Sequence, residues 1–131
     1  MTRASGHFEV RMTPQPAEGA TGSAAIGRFA LDKQYHGDLE ATSQGQMLAS
    51  RSSMPGSAGY VAMELVSGVL HGRAGTFVLQ HNGIMDRGAP QLAVTVVPDS
   101  GTGQLAGLAG KLAIVIADGK HSYDIDYTFG A

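Results

Sequence analysis

The sequence predicts an all-β protein, a closed antiparallel β-barrel of about eight strands. Three observations predict it. Runs rich in β-branched and aromatic residues alternate with polar turn clusters. The 19 glycines fall singly among those runs rather than in a tract, as turns, bulges and sharp strand bends require. No long segment carries a helical period with caps. At 131 residues the chain is a single domain, 1–131, large enough for one core. A β-sandwich is the second fold the pattern accommodates.

The strands follow in order. His7 to Met12 comes first, then a loop from Pro14 to Gly22. Ala25 to Tyr35 and Asp38 to Ser50 follow. The turn-forming run Ser52-Ser53-Met54-Pro55-Gly56 leads into Tyr60 to Leu70. Thr76 to Met85, Gln91 to Val97, Ala109 to Ala117 and His121 to Phe129 complete the set. Pro98-Asp99-Ser100-Gly101-Thr102-Gly103 is a further turn signal. Connections this short pair sequence neighbours antiparallel. A meander that closes on itself then removes the exposed sheet edges.

The last hairpin is the best specified. Asp118-Gly119 is a type I′ turn signature that pairs Ala117 with Lys120. Ile114 then faces Tyr123, Leu112 faces Ile125, Lys111 faces Asp126, and Gly110 leaves room for Tyr127. That register turns Tyr123, Ile125, Tyr127 and Phe129 inward. His71-Gly72 makes a similar turn. It sets Val66 opposite Phe77, Glu64 opposite Leu79 and Ala62 opposite His81. With Phe77 and Leu79 interior, Tyr60, Glu64 and His81 are interior too, and the next strand adds Leu92, Val94 and Val96. Loop parity decides the face: a three- or five-residue loop would reverse it. Reading His36-Gly37 as a third two-residue turn places Lys33 opposite Glu40, Leu31 opposite Thr42 and Phe29 opposite Gln44. Glu40, Thr42 and Gln44 then share the inner face with Phe29 and Leu31.

Acids, an imidazole and a phenol on one apolar face are costly unless paired or hydrated. A lumen holding water or a ligand resolves that cost, and burial there would raise a glutamate pKa toward general acid–base use. The competing assignment turns Glu40 and Glu64 to solvent and makes Val61, Met63 and Leu65 core. On the lumen assignment these three form an outer apolar stripe, which marks a subunit interface and predicts a homo-oligomer.

Composition excludes several classes. Apolar residues are 43% and charged residues 15%, which is not a disordered composition. The formal charge of −2 supplies no basic field for nucleic acid. Cysteine is absent, so disulfides, thiolate chemistry and Cys-ligated zinc are excluded. The N-terminal residues show no signal peptide and no apolar run is long enough to span a bilayer, so a cytoplasmic protein without a membrane partner is expected. His7, His36, His71, His81 and His121 do not form a metal-ligand spacing, and neither metal nor cofactor is expected. Gly101-Thr102-Gly103 is followed by a strand rather than a helix, so it is no dinucleotide fingerprint. Asp99-Ser100-Gly101-Thr102 is read as a polar turn rather than a protease motif. Gly56-Ser57-Ala58-Gly59 lacks the strand–turn–helix setting of a nucleophile elbow.

Several strings resemble a known, mainly bacterial family: Gln34 to Ser43, Gly56 to Ala62, Gly72 to His81 and Val97 to Gly103. The family is domain of unknown function 3224. The resemblance covers nearly the whole chain and implies a barrel similar to that of allene oxide cyclase. The run Gly101 to Gly110 is similar to the glycine-patterned strand of cyclase and dirigent barrels. The resemblance brings no established activity, and no cyclase catalytic residue maps onto this sequence.

Two functional readings follow, and a third is plainer. In the first, a small, partly apolar ligand occupies the lumen. Phe29, Leu31, Tyr60, Phe77, Leu79, Tyr123 and Tyr127 supply walls, with Thr42 and Gln44 beside them, and Glu40, Glu64 and His81 orient its polar end. In the second, a cofactor-free cyclase or isomerase uses Glu64 or Glu40 as catalytic base with His81 as partner. In the third, the barrel is structural and oligomeric, and its polar residues only fix register.

Overall fold

A computed structural model describes residues 1–15 and 26–130. Eight antiparallel strands close in sequence order, β1 to β8. They are β1 Thr2–Gln15, β2 Gly27–Gly37, β3 Leu39–Arg51, β4 Ala58–Leu70, β5 Arg73–Asp86, β6 Ala89–Val96, β7 Leu108–Ala117 and β8 Lys120–Phe129. The barrel replaces the sandwich alternative. β1 starts earlier than expected because Thr2 to Phe8 supplies the closing ladder against β8. Most of the expected loop from Pro14 to Gly22, and the expected strand start at Ala25, lie outside the described residues.

Two hairpins follow the expected registers. Ile114 pairs Tyr123, Lys111 pairs Asp126 and Gly110 pairs Tyr127 in β7–β8. Val66 pairs Phe77, Glu64 pairs Leu79 and Ala62 pairs His81 in β4–β5. Their turns require left-handed backbone at both central residues, and His71 (φ 46°), Gly72 (79°), Asp118 (53°) and Gly119 (75°) supply it.

The β2–β3 register corrects the sequence reading. Tyr35 pairs Ala41, Lys33 pairs Ser43, Leu31 pairs Gly45 and Phe29 pairs Met47. Five residues, 36–40, therefore separate the last pair, and the odd loop reverses the β3 face. Glu40, Thr42 and Gln44 point to solvent, while Ala41 and Ser43 face inward and are buried. Tertiary contacts hold the longer connection. The Tyr123 hydroxyl accepts from Leu39 N–H at 2.9 Å and lies 2.9 Å from His36 O. Asp38 accepts from Ser5 N–H, and Glu40 from Gly37 N–H, each at 2.9 Å.

The two ends of the barrel differ. The end carrying the β2–β3 and β4–β5 turns is packed shut by Tyr35, Leu39, Leu70, Phe77, Leu108 and Tyr123. A 3-10 turn, Gly103–Leu105, drives the fully buried Leu105 into it. β6 pairs β7 only at Val94–Leu112 and Thr95–Lys111. Beyond those pairs the β6–β7 connection bonds β5 instead, through Val97 N–H to Val78 O and Thr102 N–H to Thr76 O. At the opposite end, inward rows finish in side chains that stay open to solvent. Met12, Leu92 and Ile116 are 53%, 44% and 66% exposed.

Candidate functional site

Period-two alternation brings four strands' polar side chains to one point inside the barrel. β2 contributes Lys33 and Tyr35, in phase with Leu31. β3 contributes Ser43, β4 Glu64 and β5 His81. All but Tyr35 are polar or charged groups in the core, and Glu64 is 1% exposed. Glu64 lies opposite Gly45 on β3, where a side chain would collide with Met63 O and with the Glu64 backbone. Glycine at 45 thus lets β3 and β4 approach at the acid.

The Glu64 carboxylate is saturated by donors. Oε1 accepts from Lys33 Nζ at 3.1 Å, from the Tyr35 hydroxyl at 2.9 Å and from His81 Nε2 at 2.8 Å. Oε2 accepts from Ser43 Oγ at 2.6 Å. The other ring nitrogen of His81, Nδ1, lies 3.3 Å from the Tyr60 hydroxyl. Tyr60 is half-buried, and its ring lies across Gly83, where a methyl group would overlap it. A hydrogen-bonded chain therefore runs from the buried acid to the open end.

Burial by itself pushes the Glu64 carboxyl up. The His81 hydrogen bond, the Lys33 charge and the Ser43 hydroxyl outweigh burial and hold it down at about 2. This corrects the expectation of a raised glutamate pKa: the acid is buried, but it is buried with its partners. Burial and the Glu64 charge push the Tyr35 and Tyr60 phenols up, so both keep their protons.

Of the residues singled out in the sequence, the structure brings Tyr60, Glu64 and His81 together. Leu31 and Leu79 are buried beside them, and Phe29 is half-buried toward the open end. Phe77, Tyr123 and Tyr127 belong to the closed end. There Tyr127 bonds His71 Nδ1 at 2.6 Å, and Tyr123 clamps the β2–β3 connection. Glu40, Thr42 and Gln44 are on the outer wall. Lys33, Tyr35 and Ser43 were not singled out. Lys33 and Tyr35 were nevertheless in phase with Phe29 and Leu31, and an isolated lysine on an apolar face calls for a buried acid. Ser43 depended on the register that the sequence misassigned.

A groove of about 590 Å³ lies against the outer wall, lined by Arg28, Gln46, Leu48, Val61, Met63, Gln80 and Asn82, together with Ala62 and His81 from the inward rows of β4 and β5. Val61, Met63 and Leu65 form the expected outer stripe, at 52%, 48% and 52% exposure. Among the described residues, no group of three or more His, Asp or Glu could hold a metal ion, and no helix is long and apolar enough to cross a membrane.

A closed eight-stranded meander barrel built around a donor-saturated internal carboxylate is the class of protein these features define. The chain belongs to the family described as "Protein of unknown function (DUF3224)", which it matches over residues 4–127. It is similar to a solved structure from Shewanella oneidensis MR-1, a protein of unknown function from the same family. The two are 50% identical, with a TM-score of 0.94, over 100% of this chain and 98% of that one. No curated protein matches the sequence.

Proposed function

We propose that the barrel binds a small, partly apolar molecule at its open end, with the Tyr60 hydroxyl, backed by His81, meeting the molecule's polar group. One observation carries this reading. Met12, Leu92 and Ile116 continue the inward-facing rows, yet they stay 53%, 44% and 66% exposed. Inward-facing apolar side chains left wet form an apolar mouth, and burying them favours an apolar guest by roughly 25 cal/mol per Å². Phe29, Met47 and Ile114 are half-buried below that rim.

The cyclase or isomerase alternative is less well supported. A carboxylate held at about 2, buried and bonded by Lys33, Tyr35, Ser43 and His81 is a weak base. Glu40, the other candidate base, faces solvent.

The test is a panel of octyl methyl ether, 1-octanol and octanoate, followed by methyl and aromatic NMR. Saturable shifts at Met12, Phe29, Met47, Tyr60, Leu92 and Ile114 are expected for at least one compound. Shifts confined to Leu48, Val61 and Met63 on the outer groove, or no saturable shifts, would overturn the proposal.

We also propose that the stripe Val61, Met63 and Leu65 is covered by a second copy of this chain. Its cross-strand neighbours are Leu48, the neutral amides Gln44, Gln46, Gln80 and Asn82, and Val78. The charges at the β2 ends of those rows, Arg28 beside Leu48 and Asp32 beside Gln44, are of opposite sign, so the patch can meet itself across a two-fold axis.

A further inference from the structure

We infer that the open end selects a neutral apolar molecule carrying a hydroxyl group, because the hydrogen-bond chain behind it presents an acceptor and not a donor. This rests on the open end being the binding site, as proposed above.

The direction of the chain is fixed at its inner end. An ionised carboxylate only accepts. The Glu64 Oε1 contact with His81 at 2.8 Å therefore puts a proton on Nε2. Lys33, 3.1 Å from the same oxygen, already balances the acid's charge. A second cation at His81 would leave a net charge in the core, which is costly. With one proton on the ring, held at Nε2, Nδ1 is a lone pair, and the Tyr60 hydroxyl at 3.3 Å donates to it. Tyr35 and Ser43 also spend their protons on Glu64. The Tyr35, Ser43, Tyr60 and His81 hydrogens are thus spent within the cluster, and what faces the mouth is the Tyr60 oxygen with its lone pairs.

The ligand class follows from that polarity. A carboxylate would bring lone pairs against lone pairs. An ether supplies no hydrogen. An ammonium group can donate, but it would enter an apolar mouth whose polar cluster has no surplus negative charge to offset its desolvation. A hydroxyl group donates to Tyr60 and brings no charge. The apolar remainder lies against Phe29, Met47, Leu92 and Ile114.

Two measurements test this. The first is the tautomer of His81 in the free protein, read from its side-chain ¹⁵N shifts at pH 7.5. A protonated Nε2 with an unprotonated Nδ1 is expected. An imidazolium ion or the Nδ1–H tautomer overturns the inference while leaving the binding site standing. The second compares 1-octanol, octyl methyl ether, octanoate and octylamine by calorimetry. Octanol is expected to bind about tenfold more tightly than each of the others, the worth of one directed hydrogen bond. Equal or tighter binding of ether, octanoate or octylamine overturns the selectivity alone. Failure of all four to bind overturns both the selectivity and the site.

Discussion

Lys33 Nζ lies 3.1 Å from Glu64 Oε1, with 6% and 0% of the two side chains exposed. The pair joins β2 to β4 across the barrel interior, and the Lys33 ammonium also lies 5.1 Å from the centre of the Phe8 ring on β1. Three strands are tied through one cation.

Removing one partner should cost more than removing both. Lys33→Met leaves an unpaired buried carboxylate and should destabilise the fold by about 3–5 kcal/mol. Glu64→Leu strands the ammonium and should cost a similar amount. The double variant should recover much of that loss, because an apolar pair needs no desolvated charge. Urea denaturation of the four proteins checks this, and additive losses would contradict it.

Acid should unfold the protein through Glu64. Its carboxyl titrates at about 2 when folded, against an ordinary 4.5. The folded pKa is the lower one, so the stabilisation is fully present above pH 4.5 and is lost as pH falls from there toward 2. The amount is about 3 kcal/mol. Stability measured from pH 6 downward should fall across that window, and Glu64→Gln should flatten the fall.

Gly83→Ala should act through Tyr60. The added methyl overlaps the Tyr60 ring. The ring must move, and its bond to His81 should go with it, at a cost of about 1–3 kcal/mol. In a Tyr60→Ala background the same substitution should be nearly neutral. A cost that persists there would place the strain in the backbone.

Tyr123→Phe should loosen the β2–β3 connection. It leaves the buried Leu39 N–H without the phenol it donates to at 2.9 Å, at a cost of about 1–3 kcal/mol. Hydrogen exchange at Leu39 should accelerate, while that of Leu112 on β7 should be unchanged relative to global stability.

The outer stripe should hold two copies together. Light scattering at micromolar concentration should give a mass above the monomer's 13.5 kDa. Met63→Glu should return it to monomer, because two like charges would meet at the axis. A monomeric native protein would end the proposal.

The two hairpins legible in the sequence are those whose turns are self-sufficient. Asp118-Gly119 and His71-Gly72 hold both central residues in left-handed backbone, so a local signal set the register. From them Tyr60, Glu64 and His81 could be placed inside, and Val61, Met63 and Leu65 outside. His36-Gly37 looked similar but was not, because its connection is held by partners far along the chain. Tyr123 reaches it from β8, and Asp38 bonds Ser5 on β1. No local reading contains those contacts, and they reverse every side chain on β3.

Strand periodicity and turn chemistry alone determined the barrel, most of its strands and the inward position of the acid at 64, because these depend on neighbours in sequence. Tertiary structure alone decided which groups meet that acid. Glu40 and Ser43 exchange faces through one odd loop, and Lys33 becomes the counter-ion only when β2 curves round to β4. Burial without those partners would have raised the carboxyl; with them it is lowered, since the interior strengthens a charge's hydrogen bonds and ion pairs as much as it penalises the charge left alone.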